Sequence, residues 1–367
     1  MPNPIKYITG SETDALKKGN FYIGTGDVGK GPSDVTGYYQ GISPSEGGYV
    51  IYMNNSGAPG DLSYHNAPTD NDLITFTNNL AGQSYTTVQE CLVYYAGQTD
   101  KVVLNRDYEG IVTDGLVLNL DAGFTPSYPK NGTTWYDVSG ESNNGVLING
   151  PTFDSGNGGS IVFDGTNDYA EVTARNTNLE FQPTEEYSCM VFYKSPPSAA
   201  FGALIANMVS TAPYTGWDIW FNNAGKSNTI AMHLITSWSG NAIKVAVDYN
   251  YSTYANQWVC FGYTYDGSCP TNETDMLNSV DFYLNGTLYT SGKQKGESDS
   301  GGTGFDSSSE TITYNPSQRF RVASRWKSGS WDYGSSNSTG IVLVYNRKLT
   351  SSEMLQNYNA QKGRFGL

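Results

Sequence analysis

An aromatic ring set beside carboxylate and amide groups on one strand face offers a sugar what it needs, a surface to stack on and partners for its hydroxyls. Two stretches supply that combination. In Trp217-Asp-Ile-Trp-Phe-Asn222 the strand period of two places Trp217, Ile219 and Phe221 on one face and Asp218, Trp220 and Asn222 on the other. In Ile230-Ala-Met-His-Leu234 the apolar Ile230, Met232 and Leu234 oppose Ala231 and His233. As neighbouring strands, these would turn one face to a core and show Trp220, Asp218 and His233 to solvent as a candidate ligand site. A plainer use competes, in which Trp220 covers an outer sheet or an oligomer interface. Trp326, Trp331 and Asp332, in a Gly/Ser-rich loop near the C-terminus, form a second candidate group with the same two readings.

Other chemistry is sparsely supplied. There is no G-x-S-x-G, and His65 and His233 are the two histidines, without H-E-x-x-H, which argues against a serine triad and a catalytic zinc. Gly24-Thr-Gly-Asp-Val-Gly29 spells a dinucleotide fingerprint and, through Lys30, most of a P-loop. Both need a helix opening at that point, and Gly31-Pro-Ser-Asp-Val-Thr-Gly37 cannot start one. Asp164, Asn167 and Asp168 form a cluster of hard oxygen ligands that admits calcium. The same Asp-Gly-Thr-Asn-Asp run describes a turn held by its own side chains. Cys91, Cys189, Cys260 and Cys269 contain no C-x-x-C and read as buried thiols, with a Cys260–Cys269 pairing as the alternative.

The elements that must position these residues are mostly short strands. The 367 residues hold 42 Gly and 28 Tyr, with 15% charged residues, a mix suited to strands joined by wide polar loops. Net charge is −14, and the acidity is spread over both parts of the chain. Such a surface repels nucleic acid and anionic lipid, so neither is expected as a partner. The opening Met-Pro-Asn-Pro-Ile-Lys lacks a signal peptide's apolar run and no segment approaches spanning length, so the expectation is a soluble protein made in a cytoplasm.

Residues 1–113 read as a small α+β domain. It has strands at Phe21-Tyr-Ile23 and Tyr49–Met53, and a helix from Asp70 to Leu80 that turns Leu73, Phe76 and Leu80 inward and stops at Gly82. A second helix runs from Thr87 to Tyr95, with capping pairs Thr86–Gln89 and Thr87–Glu90, and stops at Gly97. It carries Val88, Cys91, Leu92 and Tyr95 inward. Residues 114–367 read as an antiparallel β-sandwich. Ser160–Val172 is expected to be a hairpin around Asp-Gly-Thr-Asn-Asp, and Val280–Tyr289 another around a type I′ turn at Asn285-Gly286. A closing helix capped by Thr350 and Glu353 should staple Leu349 to Met354 and dock through Leu355 and Tyr358.

In this order, several pieces resemble the laminin-G-like, concanavalin-A-like family. They are Gly115-Leu-Val-Leu-Asn-Leu-Asp-Ala-Gly123, Trp135-Tyr-Asp-Val-Ser-Gly140 with Asn143-Asn-Gly145, Phe163-Asp-Gly-Thr-Asn-Asp-Tyr169, Phe282-Tyr-Leu-Asn-Gly286 and Val344-Tyr-Asn-Arg-Lys-Leu-Thr-Ser-Ser-Glu353. The variant ending Gln356-Asn-Tyr-Asn-Ala-Gln-Lys-Gly-Arg-Phe-Gly-Leu367 is similar to structural proteins of large tailed phages, marine cyanobacterial ones above all. Asn105-Arg-Asp-Tyr108 leads in from a region that looks like their companion domain. The resemblance implies a mainly β fold, a concanavalin-A-like jelly-roll preceded by the small α+β domain. It implies a virion location, other virion proteins as partners through the first domain, a host-surface glycan as the candidate ligand, and many copies per particle. Related glucanases use Glu-x-Asp-x-x-Glu on a strand face. Here Glu273-Thr-Asp-Met-Leu-Asn278 ends in Asn and falls in an expected polar loop, so no enzyme is expected. A free carbohydrate-binding or carbohydrate-cleaving protein, and a cement protein without ligand, remain the alternatives.

Overall fold

The computed structural model describes residues 15–18, 21–24, 49–54, 62–67, 69–98, 101–105, 111–124, 126–196, 201–222, 228–296, 302–328, 330 and 332–367. The glycine motif beyond Gly24, Arg106 to Tyr108, Trp331, and the side chains of Gln89 and Leu92 lie outside them. The chain divides into two compact units, Pro2–Ile111 and Val112–Leu367.

In the first unit Tyr49–Asn54 is the middle strand of an antiparallel sheet, between Leu62–Ala67 and Lys101–Asn105. Helix Asp70–Ala81 starts at a Thr69–Asp72 capping box and ends on Gly82 in the left-handed region. Helix Val88–Gly97 starts at the Thr87–Glu90 box, and it continues through Gly97 to a cap at Gln98 instead of stopping at the glycine. Leu73, Cys91 and Tyr95 close a core with Tyr49, Ile51 and Ala67, with Phe76, Leu80 and Val88 packed beside it. Ala15–Lys18 pairs with Phe21–Gly24 as a separate antiparallel ladder.

The second unit is a jelly-roll sandwich of an eight-stranded and a ten-stranded sheet, whose ladders are antiparallel. Its core lies between them. Trp217, Ile219 and Phe221 and then Ile230, Met232 and Leu234 face inward, as strand parity requires, against Tyr187, Cys189, Val191, Phe261, Tyr263 and Tyr265. Cys91, Cys189, Cys260 and Cys269 are buried free thiols.

Three local expectations are corrected. Ser160–Phe163 and Tyr169–Val172 do not pair with each other. The first joins Thr152–Asp154 and Asn337–Tyr345 in one sheet, the second joins Gly145–Ile148 and Arg321–Val322 in the other. A five-residue connection carries the chain across the sandwich edge, where two-residue turns would have folded it back. Residues Glu273–Ser279 form a short helix, with Asn272 capping the Asp275 amide and Met276 buried, in place of the expected loop. In helix Ser351–Phe365 the Thr350–Glu353 box and buried Leu349 and Met354 are as expected, but Leu355 is exposed. The docked stripe runs through Met354, Asn357 and Phe365, and one residue further round the helix is a turn of about 100° away from it. Phe365 stacks on Phe192 at 5.1 Å and Tyr358 does so at 6.4 Å. The Asn285-Gly286 hairpin forms as expected, with both residues at positive φ.

Candidate functional site

The outer face of the ten-stranded sheet carries an ordered row of side chains. Glu171 pairs in register with Arg321, Arg321 with Ala206, Ala206 with Asp218, Asp218 with His233, and His233 with Lys244. Parity on Gly216–Phe221 and Thr229–Ile235 places Asp218, Trp220, Ala231 and His233 on this face, as the sequence requires. Solvent does not reach them. Asp218 and His233 are 0% exposed and Trp220 is 3% exposed, so the expected open site is a buried one.

The cover comes from far along the chain. Ala203, Ala206, Ala231, Ala242 and Ala246 pave this face, and their small side chains let another segment lie close to the sheet. Residues 323–328 and 332–335 take that position. The Ala323 amide donates to Leu204 O and the Trp326 amide to Met208 O, while Tyr333 O accepts from Ala203 N. Arg321 cinches the segment from beneath, donating to the carbonyls of Arg325, Lys327 and Ser330 and to Glu171. Its guanidinium lies 4.1 Å from the Tyr169 ring centre.

Arg325 is the centre of the site. Its Nε donates to Asp218 Oδ2 at 2.7 Å, and its guanidinium stacks over Trp220 at 3.8 Å. Tyr214, Trp238 and Tyr333 stand around it at 5.5–5.8 Å. The other Asp218 oxygen meets His233 Nδ1 at 2.7 Å, so that nitrogen carries the proton of a neutral ring and Nε2 the lone pair. Burial pushes the Asp218 carboxyl up, but Arg325 and His233 outweigh it and hold it below 3.8. Burial also keeps His233 below 6.5 and neutral, with Arg325 and Lys244 adding to it against the pull of Asp218. The result is a charge-neutral, fully packed Asp–His–Arg cluster.

Above the cluster lies an aromatic row. Phe201, 53% exposed, meets Trp220 edge-on at 5.0 Å and lies 6.3 Å from Tyr333. The neighbouring Tyr214 hydroxyl raises the Tyr333 pKa. Tyr214 packs on Trp238 at 5.2 Å, and Lys244 Nζ sits 4.0 Å from the Trp238 ring centre. Tyr214, Trp238 and Tyr333 are each partly exposed.

The second sequence candidate is split. Trp326 is partly exposed and held by its backbone to Met208 and Ser210. Asp332 pairs with Lys327 at 3.1 Å and lends its carbonyl to the Arg325 amide, and Trp331 is outside the described residues. At the candidate calcium cluster, Asp164 Oδ1 accepts from the Thr166 and Asn167 amides and Asp168 Oδ2 from the Asp164 amide. These carboxylates are engaged within the turn, and no group of three metal-ligating side chains occurs among the described residues. Asp137 of the Trp135–Gly140 motif takes bonds from the amides of Asn119, Ser139 and Asn143, which makes it a loop fastener.

Sequence reasoning missed Arg325, Arg321, Lys244, Phe201, Tyr214, Trp238 and Tyr333. One signal was available. In Phe320-Arg-Val-Ala-Ser-Arg-Trp326 the two arginines share strand parity, and Lys244 interrupts the apolar Ile243-Lys-Val245, both marks of the sheet face that points away from the core.

No protein-family model matches the chain, and neither does any curated protein sequence. Solved structures do. The binding domain of botulinum neurotoxin serotype G is 15% identical over 67% of this chain and 51% of its own, with a TM-score of 0.44. The binding domain of paraclostridial mosquitocidal protein 1 is 16% identical over 68% and 52%, with a TM-score of 0.43. That of botulinum neurotoxin serotype D/C is 14% identical over 68% and 53%, with a TM-score of 0.46. The chain spans about half the length of these structures.

Proposed function

We propose that this chain is a non-enzymatic structural protein of a tailed-phage particle. The first unit joins it to capsid or tail, and the laminin-G-like jelly-roll is displayed outward as an attachment module. The observation that carries the reading is the division into two compact units with separate cores, which lets one surface be spent on assembly while the other is presented. The ordered family motifs support the particle assignment. A binding role is favoured over catalysis because Asp218 and His233, the pair nearest in kind to an acid–base dyad, are fully buried with Asp218 engaged by Arg325. Many copies follow from particle symmetry, so weak outward sites gain avidity on a repetitive surface.

Purified particles banded on a density gradient test this. The chain is expected in every particle fraction at a constant ratio to the major capsid protein. Its absence from washed particles overturns the reading in favour of a free binding protein.

A further inference from the structure

We propose that residues 323–328 and 332–335 are an acid-released cover, in which a proton taken up by His233 replaces Arg325 as the cation of Asp218 and lets the segment lift from the ten-stranded sheet. The device is independent of where the chain is displayed, and its failure leaves the particle reading untouched.

The geometry gives one carboxylate two claimants. Asp218 meets Arg325 Nε through one oxygen and His233 Nδ1 through the other, both at 2.7 Å, and Arg325 Nη2 stands 3.4 Å from the same ring nitrogen. The charged groups that face the ring are Asp218 on one neighbouring strand, Lys244 on the other and Arg325 on the cover, with the rings of Trp220 and Trp238 beside it. Arg325 already balances Asp218, and Lys244 adds to the repulsion that a proton on the ring would meet. The ring resists a proton for a second reason. An imidazolium donates from both nitrogens, and His233 Nε2 is buried with no hydrogen-bond partner among the described residues.

Opening removes both obstacles. With Arg325 in water, His233 and Asp218 make a neutral ion pair by themselves and the Nε2–H reaches solvent, so the open form binds the proton that the closed form refuses. The cover is also lightly held. Ala323 at φ 63° and Tyr333 at φ 48° put left-handed backbone near its two ends, a strain that closure maintains and release relieves. Beneath it lie the small side chains of Ala203, Ala206 and Ala231, which offer few atoms to interlock with. Strand Arg321–Val322, paired on both sides, and strand Asn337–Tyr345 keep its two ends in the sandwich.

Hydrogen exchange of the full-length chain at pH 7.5 and 5.5, read by mass spectrometry and corrected for the intrinsic effect of pH, tests this. Peptides holding the Ala323 and Trp326 amides, which donate to the Leu204 and Met208 carbonyls, are expected to exchange about tenfold faster at pH 5.5. That is the factor a free imidazole of pKa about 6.5 contributes over this range. They should do so through an opening that low urea does not speed, while strands Glu186–Lys194 and Trp258–Asp266 of the other sheet stay far better protected. His233→Gln, which keeps a donor for Asp218 and cannot become charged, should remove the acceleration, and His65→Gln should keep it. His65→Gln also leaves His233 as the one histidine, so nuclear magnetic resonance of its ring nitrogens should show a neutral ring while the cover is closed. These measurements on the wild-type chain and on His65→Gln keep the test open if His233→Gln does not fold. A corrected rate indifferent to pH overturns the proposal, as does acceleration undiminished in His233→Gln. So does a single rate and urea dependence shared by cover and core strands, or an imidazolium beneath a protected cover.

Discussion

Asp218 is a carboxylate with no exposed surface, and both of its oxygens are committed, one to Arg325 and one to His233. Removing a single partner from such a cluster strands a charge in a packed interior. Arg325→Met is therefore expected to destabilise the second unit by about 3–5 kcal/mol, and Asp218→Asn added to it should recover part of that loss. Chemical denaturation followed by tryptophan fluorescence measures both. His233 adds a dependence on pH. Its folded pKa lies below 6.5 because burial opposes the charged ring and Arg325 and Lys244 reinforce the effect against Asp218. The unfolded chain takes up a proton near 6.5 that the folded chain refuses. Stability is then complete above about pH 6.5 and declines below it by at most about 1.4 kcal/mol per pH unit. Denaturation midpoints at pH 8, 6.5 and 5.5 should show this slope, and His233→Gln should remove it. An unchanged slope in the variant would mean that another group titrates there.

Among the elements, the closing helix and the 280–289 hairpin illustrate how local geometry and packing set each other. Gly286 has φ +75°, and a Cβ placed on it would stand 2.6 Å from the Tyr358 ring, so the turn and the helix share one tight contact. Gly286→Ala is expected to cost about 1–3 kcal/mol. Gly363 lies in the same helix with nothing within 4 Å of its would-be Cβ. Gly363→Ala should instead stabilise by about 0.5–1 kcal/mol, since only the backbone entropy of glycine is removed. Melting temperatures moving in opposite directions would confirm the pair, and a shared direction would contradict the packing described.

At the scale of the whole molecule, the two units close separate cores, one around Leu73, Cys91 and Tyr95 and one between the two large sheets. A fragment comprising residues 112–367 is thus expected to fold alone and melt in one cooperative transition. Circular dichroism and a thermal scan test it, and a broad, non-cooperative melt would show that the sandwich depends on the first unit. No helix among the described residues is long and apolar enough to cross a membrane.

What the sequence determined by itself is what depends on neighbours a few residues away. The parity of Trp217–Phe221 and Thr229–Ile235, the Asn285-Gly286 turn and the Thr87–Glu90 and Thr350–Glu353 caps were legible because strand period, turn dihedrals and capping bonds act over two to four residues. Tertiary structure alone decided which faces stay wet. Nothing local in Asp218 or Trp220 announces that Arg325, 107 residues later, will lie across them, or that Leu355 misses the docked stripe. It also decided that Ser160–Phe163 and Tyr169–Val172 serve opposite sheets, since their partners are chosen by strands far along the chain. Periodicity names the face a side chain points to, and only the folded chain supplies what meets it there.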